Sequence, residues 1–317
     1  MPSSIKALAL KLLGALLFLS AIAMWMSRAP DWPVEALVAR WAPPPSTFID
    51  LDGQLVHLRD VGPRDDPEPL VLVHGSASSL HTWEGWVQAL GAKRRIISFD
   101  LPGFGLSGPN ADGRYGGERD ARFVLALMDR LQVQRFAIGG NSLGGEVAWR
   151  SALLAPQRVT RLILVNATGP EPAASTMGLS RLAARIPGLQ QVFGALLPRP
   201  LVVASLRGVY GDPGRIDAAL VDRYYELLLR EGNRPALVQR LRQREPGQGA
   251  ERLRELKLPT LILWGGRDRL LPLSVARQFQ RDIAASRLVV LDGLGHVPQE
   301  EDAGRSAAPV IAFLPPR

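Results

Sequence analysis

Three residues far apart in the chain have the types and the local surroundings that nucleophilic catalysis needs. The first, Ser142, lies in the segment Gly140-Asn-Ser-Leu-Gly144, after an apolar run typical of a strand and before a run with helical spacing. A Gly-x-Ser-x-Gly turn between a strand and a helix is strained, and its glycines leave room where a β-carbon would collide. We therefore interpret Ser142 as a nucleophile, although an incidental serine in a glycine-rich turn has the same spacing.

A serine nucleophile needs a base and an acid that orients the base, and both residue types follow downstream. Asp268 lies in a glycine turn directly after an apolar run, and His296 lies in the loop after another such run. Both therefore follow the carboxyl ends of predicted strands, where open α/β sheets place their ligand sites. We interpret His296 as the base and Asp268 as the acid, and we keep Asp292 and Asp282 as alternative acids.

These residue types together predict acyl transfer. His296 would take the proton of Ser142 as the hydroxyl attacks an ester carbonyl, and would return that proton to the departing alcohol. Asp268 would hold the imidazole tautomer and stabilise the imidazolium. The helix that follows Ser142 would point the positive end of its dipole at the developing oxyanion.

With these residues in this order, the chain resembles serine hydrolases of the α/β-hydrolase fold from about Phe48 to the C-terminus. The segment His74-Gly75-Ser76 follows an apolar run, as the His-Gly loop of that family follows a strand. The resemblance implies that Ser76 and Leu143 donate their backbone N–H groups to the oxyanion. Epoxide hydrolases and haloalkane dehalogenases of this fold carry an aspartate where this chain has Ser142, so the resemblance is to the serine hydrolases.

A second motif that resembles the family is Asp100-Leu-Pro-Gly-Phe-Gly-Leu-Ser107. It is structural in most members, so we expect Asp100 and Ser107 to support the site rather than to take part in the chemistry. No metal or other cofactor is expected, because the chain has no cysteine and its four histidines show no paired ligand spacing such as His-Glu-x-x-His.

The elements that must position these residues alternate between strands and helices. Helical runs such as Glu118–Leu131 and Val275–Ile283 separate several of the strands. The alternation predicts the α/β class, with a mostly parallel eight-stranded sheet and helices on both faces, as in the α/β-hydrolase fold. Strands are expected near Phe48–Asp50, Leu55–Arg59, Leu70–His74, Arg95–Asp100, Arg135–Gly139, Arg161–Asn166, Thr260–Trp264 and Arg287–Leu291.

The strand pattern stops between Asn166 and Leu258. The resemblance implies a helical cap over the active site, so we place the cap at 168–257 and the core at 47–167 and 258–317. The insertion carries fourteen Lys or Arg against nine Asp or Glu, together with many leucines and valines. This composition suits contact with an anionic bilayer, although packing onto the core predicts the same apolar spacing. Helices are expected at Gly178–Ile186, Gln190–Leu197, Asp217–Arg230 and Pro235–Arg244.

The chain begins with an apolar stretch, Ala7–Met26, that is about long enough to cross a hydrocarbon core. We interpret residues 1–27 as a transmembrane anchor, and a cleavable signal peptide is the alternative. Lys6 and Lys11 favour an N-terminus inside the cell, which would place the catalytic domain outside the cytoplasmic membrane, on the periplasmic or extracellular side. A cleaved segment would instead give a secreted protein.

Residues 28–46 are expected to join this anchor to the first strand. Arg28 to Arg40 could form an amphipathic juxtamembrane helix, with Leu37 on its apolar face. The run Pro43-Pro-Pro45 would then act as a stiff spacer.

Anchor, triad and apolar cap together resemble membrane-anchored bacterial lipases and phospholipases and enzymes similar to monoacylglycerol lipase. We predict a serine carboxylic ester hydrolase that cleaves acyl esters, with lipids as the expected substrates. The alternatives are a small-ester or thioester hydrolase, a carbon–carbon bond hydrolase with the same triad, and a catalytically silent binding protein of this fold. The net charge of +8 comes from scattered basic residues, so no nucleic-acid partner is expected. The sequence leaves acyl length, headgroup, stereochemistry and oligomeric state open.

Overall fold

One eight-stranded sheet forms the centre of the computed structural model, which describes residues 8, 11–19, 22, 27–169, 196–245 and 247–316. The strand order is β1-β2-β4-β3-β5-β6-β7-β8. The pairs β1/β2 and β2/β4 are antiparallel and all other neighbours are parallel. The predicted eight-stranded, mostly parallel sheet is confirmed. The strands are β1 Ser46–Leu51, β2 Gln54–Val61, β3 Leu70–Val73, β4 Ile96–Phe99, β5 Phe136–Asn141, β6 Val159–Val165, β7 Thr260–Gly265 and β8 Ser286–Leu291.

Helices lie on both faces of this sheet. The central strands β3 and β5 are buried along their whole length, as expected for parallel strands that are covered on both sides. From residue 27 onward, the α-helices of the described residues are α1 Val34–Trp41, α2 Glu84–Leu90, α3 Gly117–Arg130, α4 Leu143–Leu154, α5 Arg199–Val209, α6 Ala218–Leu229, α7 Asn233–Gln243, α8 Leu273–Asp282, α9 Pro298–Glu301 and α10 Ala303–Phe313. Helices α3, α4 and α8 pack on one face of the sheet, and α2 and α10 pack on the other.

The insertion between β6 and β7 contains α5, α6 and α7. Helices α6 and α7 lie where the sequence predicts them, whereas the helix expected at 178–186 and all but the last two residues of the one expected at 190–197 lie outside the described residues. The pattern did not predict α5, because Pro198 and Pro200 interrupt it. Proline fits the first turn of a helix, however, where its missing N–H would have no partner. In α5 the side chains of Val202 and Leu206 are buried, and that of Leu201 is exposed.

The segment that precedes β1 packs along the cap. Its helix begins at Val34 and not at Arg28, because Pro33 forces extended backbone on the preceding residue. The Trp32 backbone exchanges hydrogen bonds with Leu229 (2.7 Å) and Glu231 (2.8 Å) in the cap.

Side chains hold the same segment in place. Leu37 is buried against Leu106 and Leu227. Arg40 forms ion pairs with Asp222 and Glu226 of α6. The segment expected to form a juxtamembrane helix is thus attached to the cap through Trp32, Leu37 and Arg40.

Part of the predicted anchor, Ala7–Met26, lies outside the described residues. Residues 11–19 are helical, and the large apolar side chains among them are exposed. Among the residues that the structure describes, no helix is both long and apolar enough to span a membrane.

Candidate active site

The turn that carries Ser142 is a strained bend between β5 and α4. Ser142 has φ 53° and ψ −117°, a conformation that costs free energy for a residue with a side chain. Glycines permit the bend: a Cβ on Gly140 would lie 2.0 Å from the Gly144 carbonyl oxygen, and one on Gly144 would lie 2.1 Å from that of Val73. The turn therefore presents the half-buried Ser142 at the carboxyl edge of the sheet.

Asp268 and His296 follow β7 and β8 and form a hydrogen-bonded pair at the same edge. His296 Nδ1 lies 2.8 Å from Asp268 Oδ2, and the two side chains are 6% and 0% exposed. Asp268 Oδ1 accepts hydrogen bonds from the N–H groups of Leu270 (2.8 Å) and Leu271 (3.1 Å). The carboxylate is thus fixed on both oxygens.

The structure places the two alternative acids elsewhere. Asp292 is exposed. Asp282, on α8, pairs with Arg254 at 3.1 Å. Of the three acids considered from the sequence, Asp268 is the one hydrogen-bonded to His296.

Asn141 connects the serine turn to the histidine loop. Its Nδ2 donates to the carbonyl oxygens of Val165 (3.1 Å) and His296 (2.9 Å). Because Asn141 directly precedes Ser142, these bonds bring the histidine backbone next to the serine turn.

Ser76 and Leu143, the expected oxyanion donors, line one cavity of about 60 Å³. Gly75 packs directly against the serine turn, since a Cβ on Gly75 would lie 3.2 Å from the Cβ of Ser142. Leu143 is the first residue of α4, and the first N–H groups of a helix have no acceptor inside it. Ser76 and Leu143 therefore border one space, and Leu143 directly follows Ser142.

The hydrogen bonds around Asp268 determine its charge. Burial alone would raise the pKa of this carboxyl, but attraction to His296 and hydrogen bonds from His296, Asn166 and Leu271 together lower the pKa below its ordinary value. Asp268 is therefore an anion at neutral pH, and its Oδ2 favours the tautomer of His296 that carries the proton on Nδ1. The other ring nitrogen, Nε2, is left as the acceptor.

Comparison with known proteins agrees with this architecture. A family model described as the alpha/beta hydrolase fold matches residues 68–303, about three quarters of the chain. The chain belongs to the α/β-hydrolase fold family. It is 30% identical over 273 residues to the 2-hydroxy-6-oxononadienedioate/2-hydroxy-6-oxononatrienedioate hydrolase of Cupriavidus pinatubonensis, covering 82% of this chain and 90% of that protein.

Two further α/β hydrolases are similar along most of the chain. The uncharacterized hydrolase YugF of Bacillus subtilis is 28% identical over 234 residues, which cover 74% of this chain and 85% of that protein. The crystal structure of a membrane phospholipase A, described as a novel bacterial virulence factor, matches with a TM-score of 0.70 at 24% identity and covers 99% of this chain and 98% of that chain. The family establishes a hydrolase, and the bond that is cleaved must be argued from the site.

Asn166 is a site residue that the sequence analysis missed. It follows β6 directly, and its Nδ2 donates to Asp268 Oδ2 at 2.6 Å while its Oδ1 accepts the N–H of Gly265 at 3.0 Å. Its position at the carboxyl end of a strand was the available signal. Asn166 therefore orients Asp268, the candidate acid of the site.

Replacing Asn166 by alanine is expected to lower kcat/KM for an ester about tenfold, the effect of one lost hydrogen bond to a charged group. The substitution should also raise the pKa of Asp268, because it removes one of the hydrogen bonds that lower it. Asn166→Asp should lose more activity, because it sets a like charge beside Asp268. Wild-type kinetics in Asn166→Ala would contradict this role.

Glu301 fixes the loop of His296 to the cap. Its carboxylate accepts the N–H groups of Gly295 (2.7 Å) and Gly211 (2.8 Å), and the N–H of His296 donates to the carbonyl of Val209 (2.7 Å). Burial raises the pKa of Glu301, and these backbone hydrogen bonds oppose the rise. The end of α5 and the histidine loop are therefore positioned together.

Asp100 organises the histidines that lie behind the His-Gly loop. His57 Nδ1 lies 2.7 Å from Asp100 Oδ2, and both side chains are fully buried. Asp100 also accepts the N–H of Leu80 (2.7 Å), while His74 Nε2 accepts that of Leu101 (2.9 Å). These contacts give Asp100 the structural role expected for it. Within the described residues, no group of three or more His, Asp or Glu is arranged to hold a metal ion.

His81 joins this cluster to the N-terminal segment. Its Nε2 donates to the Trp41 carbonyl at 2.8 Å, and its Nδ1 lies 3.0 Å from Ser79 Oγ. Burial lowers the pKa of His81 to about 4 against the attraction of Asp100. The folded protein therefore holds His81 neutral.

The free energy of unfolding is expected to fall as pH decreases from about 6.5 to about 4. In that window an unfolded His81 binds a proton and the folded one does not, so acid favours unfolding. His81→Gln should reduce this loss of unfolding free energy by on the order of 2–3 kcal/mol across the window. Urea titrations at several pH values measure it. Parallel pH curves for His81→Gln and wild type would exclude His81 as the cause.

Proposed function

We propose that this α/β hydrolase is a serine carboxylic ester hydrolase that acts through Ser142, His296 and Asp268. The observation that carries the proposal is the meeting of a strained serine turn with a buried, hydrogen-bonded Asp268–His296 pair at one edge of the sheet. A catalytically silent binding protein would have no need of backbone strain at this serine or of a buried carboxylate on this histidine.

The chemistry follows from these groups. His296 Nε2 takes the proton of Ser142 Oγ as that oxygen attacks the ester carbon, and the carbonyl oxygen becomes an oxyanion at the N–H groups of Ser76 and Leu143. The imidazolium, stabilised by Asp268, returns the proton to the leaving alcohol. Water then attacks the acyl-enzyme by the same route, and Ser142 regains its proton.

Lipid esters are the substrate class that we propose. The chain carries an apolar N-terminal stretch, and its described residues 11–19 expose their leucines and a phenylalanine. A stretch of this kind would hold the enzyme at a bilayer, where acyl esters are concentrated. The triad alone does not favour lipids over small esters.

A carbon–carbon bond hydrolase is the second candidate. The observation in its favour is the similarity of 29–30% to hydrolases named for 2-hydroxy-6-oxo dienoates and dienedioates over about four fifths of this chain. The apolar N-terminal stretch favours lipid esters over this alternative.

A graded substrate panel separates the candidates. We expect p-nitrophenyl esters to be hydrolysed, with a kcat/KM that rises with the length of the acyl chain. Monoacylglycerols and phospholipids in vesicles, tested next, should be hydrolysed as well. A 2-hydroxy-6-oxo dienoate should be cleaved far more slowly. Rapid dienoate cleavage with negligible ester turnover would reverse the assignment.

The full-length protein is expected to fractionate with membranes and to resist extraction by carbonate and high salt. A chain that starts at Ser27 should be found in the soluble fraction, because the apolar stretch is removed. Protease added to spheroplasts should digest the catalytic domain if the N-terminus is inside. Recovery of a free protein with a mature N-terminus at Met24 would instead favour a cleaved signal peptide.

The cap is a second proposed membrane contact. Leu201 on α5 is exposed, and Arg199 and Arg207 of the same helix border an open surface groove. Arg199 is already paired with Asp222 of α6, so its charge is partly compensated. Basic residues near an anionic surface each contribute about 1 kcal/mol, and this contribution weakens as salt is raised.

A further inference from the structure

A small cavity lies beside the two expected oxyanion donors, and most of the residues that line it have no role in the mechanism above. Its volume is about 60 Å³. Ser76 and Leu143 form one side of it, and the start of α3, the body of α4 and the end of α7 form the rest. The charged residues that line it are Asp120, Glu146, Arg150, Arg240, Arg244 and Glu245.

The N-terminus of α3 lies in this cavity without a side-chain cap. Gly116 is the N-cap residue, and a Cβ built on it would meet no atom within 4 Å. The first N–H groups of a helix have no acceptor inside it and carry the positive end of the helix dipole. Both acids of the first turn are already paired, Glu118 with Arg122 and Asp120 with Arg240. Such a helix end favours a ligand that offers oxygen acceptors.

Arginines at the end of α7 add unused donors. Arg240 is 7% exposed and donates through its terminal nitrogens to Asp120 and to the Pro102 carbonyl, while its buried Nε has no acceptor in the described structure. Arg244 makes one long contact of 3.3 Å with Glu146, and its buried Nε has no acceptor there either. A buried donor without an acceptor is unfavourable, so a ligand that supplies the acceptor is stabilised.

The balance of donors and acceptors defines the class of ligand. Three arginines and three carboxylates line the cavity, so the formal charges cancel. The buried carboxylates are occupied, however: Glu146 accepts from Arg150 and Arg244, and Asp120 accepts from Arg240. Glu245 is exposed and accepts a hydrogen bond from Gln248 Nε2 at 2.8 Å. The buried charged groups of the described lining that lack a partner are therefore the Nε donors of Arg240 and Arg244. A water occupies about 10–15 Å³ on this scale, so the cavity holds a group of a few non-hydrogen atoms and not an acyl chain.

We infer that this cavity binds a compact anionic oxygen group of the substrate, and that Arg244 is a specificity residue. The group is a phosphate on the alcohol part of the ester or a carboxylate at the end of its acyl part. Binding it would orient the neighbouring ester carbonyl toward Ser76 and Leu143. This inference rests on the ester hydrolase activity proposed above.

Two matched substrate pairs distinguish the two sources of the anion. The first compares 1-butyrylglycerol with 1-butyrylglycerol 3-phosphate, and the second compares p-nitrophenyl butyrate with p-nitrophenyl hemisuccinate. Wild-type enzyme should prefer the anionic member of one pair by about tenfold or more in kcat/KM, mainly through KM. Arg244→Gln should abolish that preference, because a loss of about tenfold is what removing hydrogen bonds to a charged group is expected to cost. It should change the turnover of the neutral members by less than about twofold.

The matched control is Arg252→Gln, because Arg252 is exposed, pairs with Glu255 and does not line the cavity. It should retain the wild-type preference. Arg244→Lys keeps the charge but not the forked donors and should restore the preference only in part. Equal turnover of both members of each pair by wild type, or equal losses on neutral and anionic esters in Arg244→Gln, would overturn the inference.

Calorimetric titration with inorganic phosphate at constant ionic strength separates this inference from the proposed activity. Saturable binding by wild type and Arg252→Gln, but not by Arg244→Gln, would support the site even if no ester were hydrolysed. If esters are hydrolysed, the substrate preference decides. If none is hydrolysed and phosphate does not bind, both the activity and the site are excluded. Equal melting temperatures of the variants exclude a folding defect as the cause.

Discussion

Ser142→Ala is expected to lower kcat/KM for p-nitrophenyl esters by at least about 10⁴-fold, with little change in KM or melting temperature. The substitution removes the oxygen that attacks the ester carbon, and no other group at the turn can replace it. Alanine is smaller than serine and fits the same bend, so the fold should be retained. Steady-state kinetics with purified protein and thermal melting measure both effects.

Ser286→Ala is the matched control, since Ser286 lies at the start of β8 and its hydroxyl makes only a weak contact of 3.4 Å with the Gln280 carbonyl. Its kinetics should match those of the wild type. Ser142→Ala combined with His296→Ala should cost little more than either change alone, because the two residues act as one proton-transfer unit. Turnover above a few per cent of wild type in Ser142→Ala would mean that another residue is the nucleophile.

Asp268→Asn should lower turnover by about 10⁴-fold while the protein still folds. Asparagine keeps the size of the aspartate, but it removes the negative charge and favours the wrong tautomer of His296. The pKa of Asp268 lies below its ordinary value in the folded protein. Its stabilising contribution is therefore present above the unfolded pKa of about 3.9 and is lost as pH falls through the folded value. Kinetics and acid denaturation of the same variant test both consequences.

Asp292→Asn supplies the comparison, because Asp292 is close to His296 in sequence but exposed in the structure. Its activity should remain within a few-fold of wild type. Near-normal turnover in Asp268→Asn together with a large loss in Asp292→Asn would show that the acid is wrongly assigned.

The strands could be predicted because each is a short apolar run that ends in turn residues. Strand β7, Thr260–Gly265, is buried along its whole length. A strand buried on both faces reads as a continuous apolar run, which can be recognised without knowledge of its partners. The serine turn could be predicted for a similar reason, since a Cβ on Gly140 or Gly144 would lie only 2.0 to 2.1 Å from a backbone oxygen. Features of this kind can be predicted because they depend on consecutive residues.

The contacts that orient the site could not be predicted in the same way. Asn166 meets Asp268 across 102 positions of sequence, and Glu301 reaches Gly211 across 90. The residues next to Asn166 and Glu301 in sequence do not indicate the partner of either side chain, because tertiary packing determines which groups meet. The attachment of Trp32 to the cap also depends on residues distant in sequence. The spacing of apolar residues predicted a helix in this segment but not its contacts with the cap.

Labelling with a fluorophosphonate probe tests the central claim most directly, because the probe reacts only with a serine that is activated by a neighbouring base. The full-length protein should gain one adduct, and peptide mass spectrometry should locate it on Ser142. The adduct should be absent from Ser142→Ala and formed much more slowly in His296→Ala. No adduct on folded wild-type protein, or an adduct on a different serine, would contradict the assignment of this α/β hydrolase as a serine hydrolase acting through Ser142.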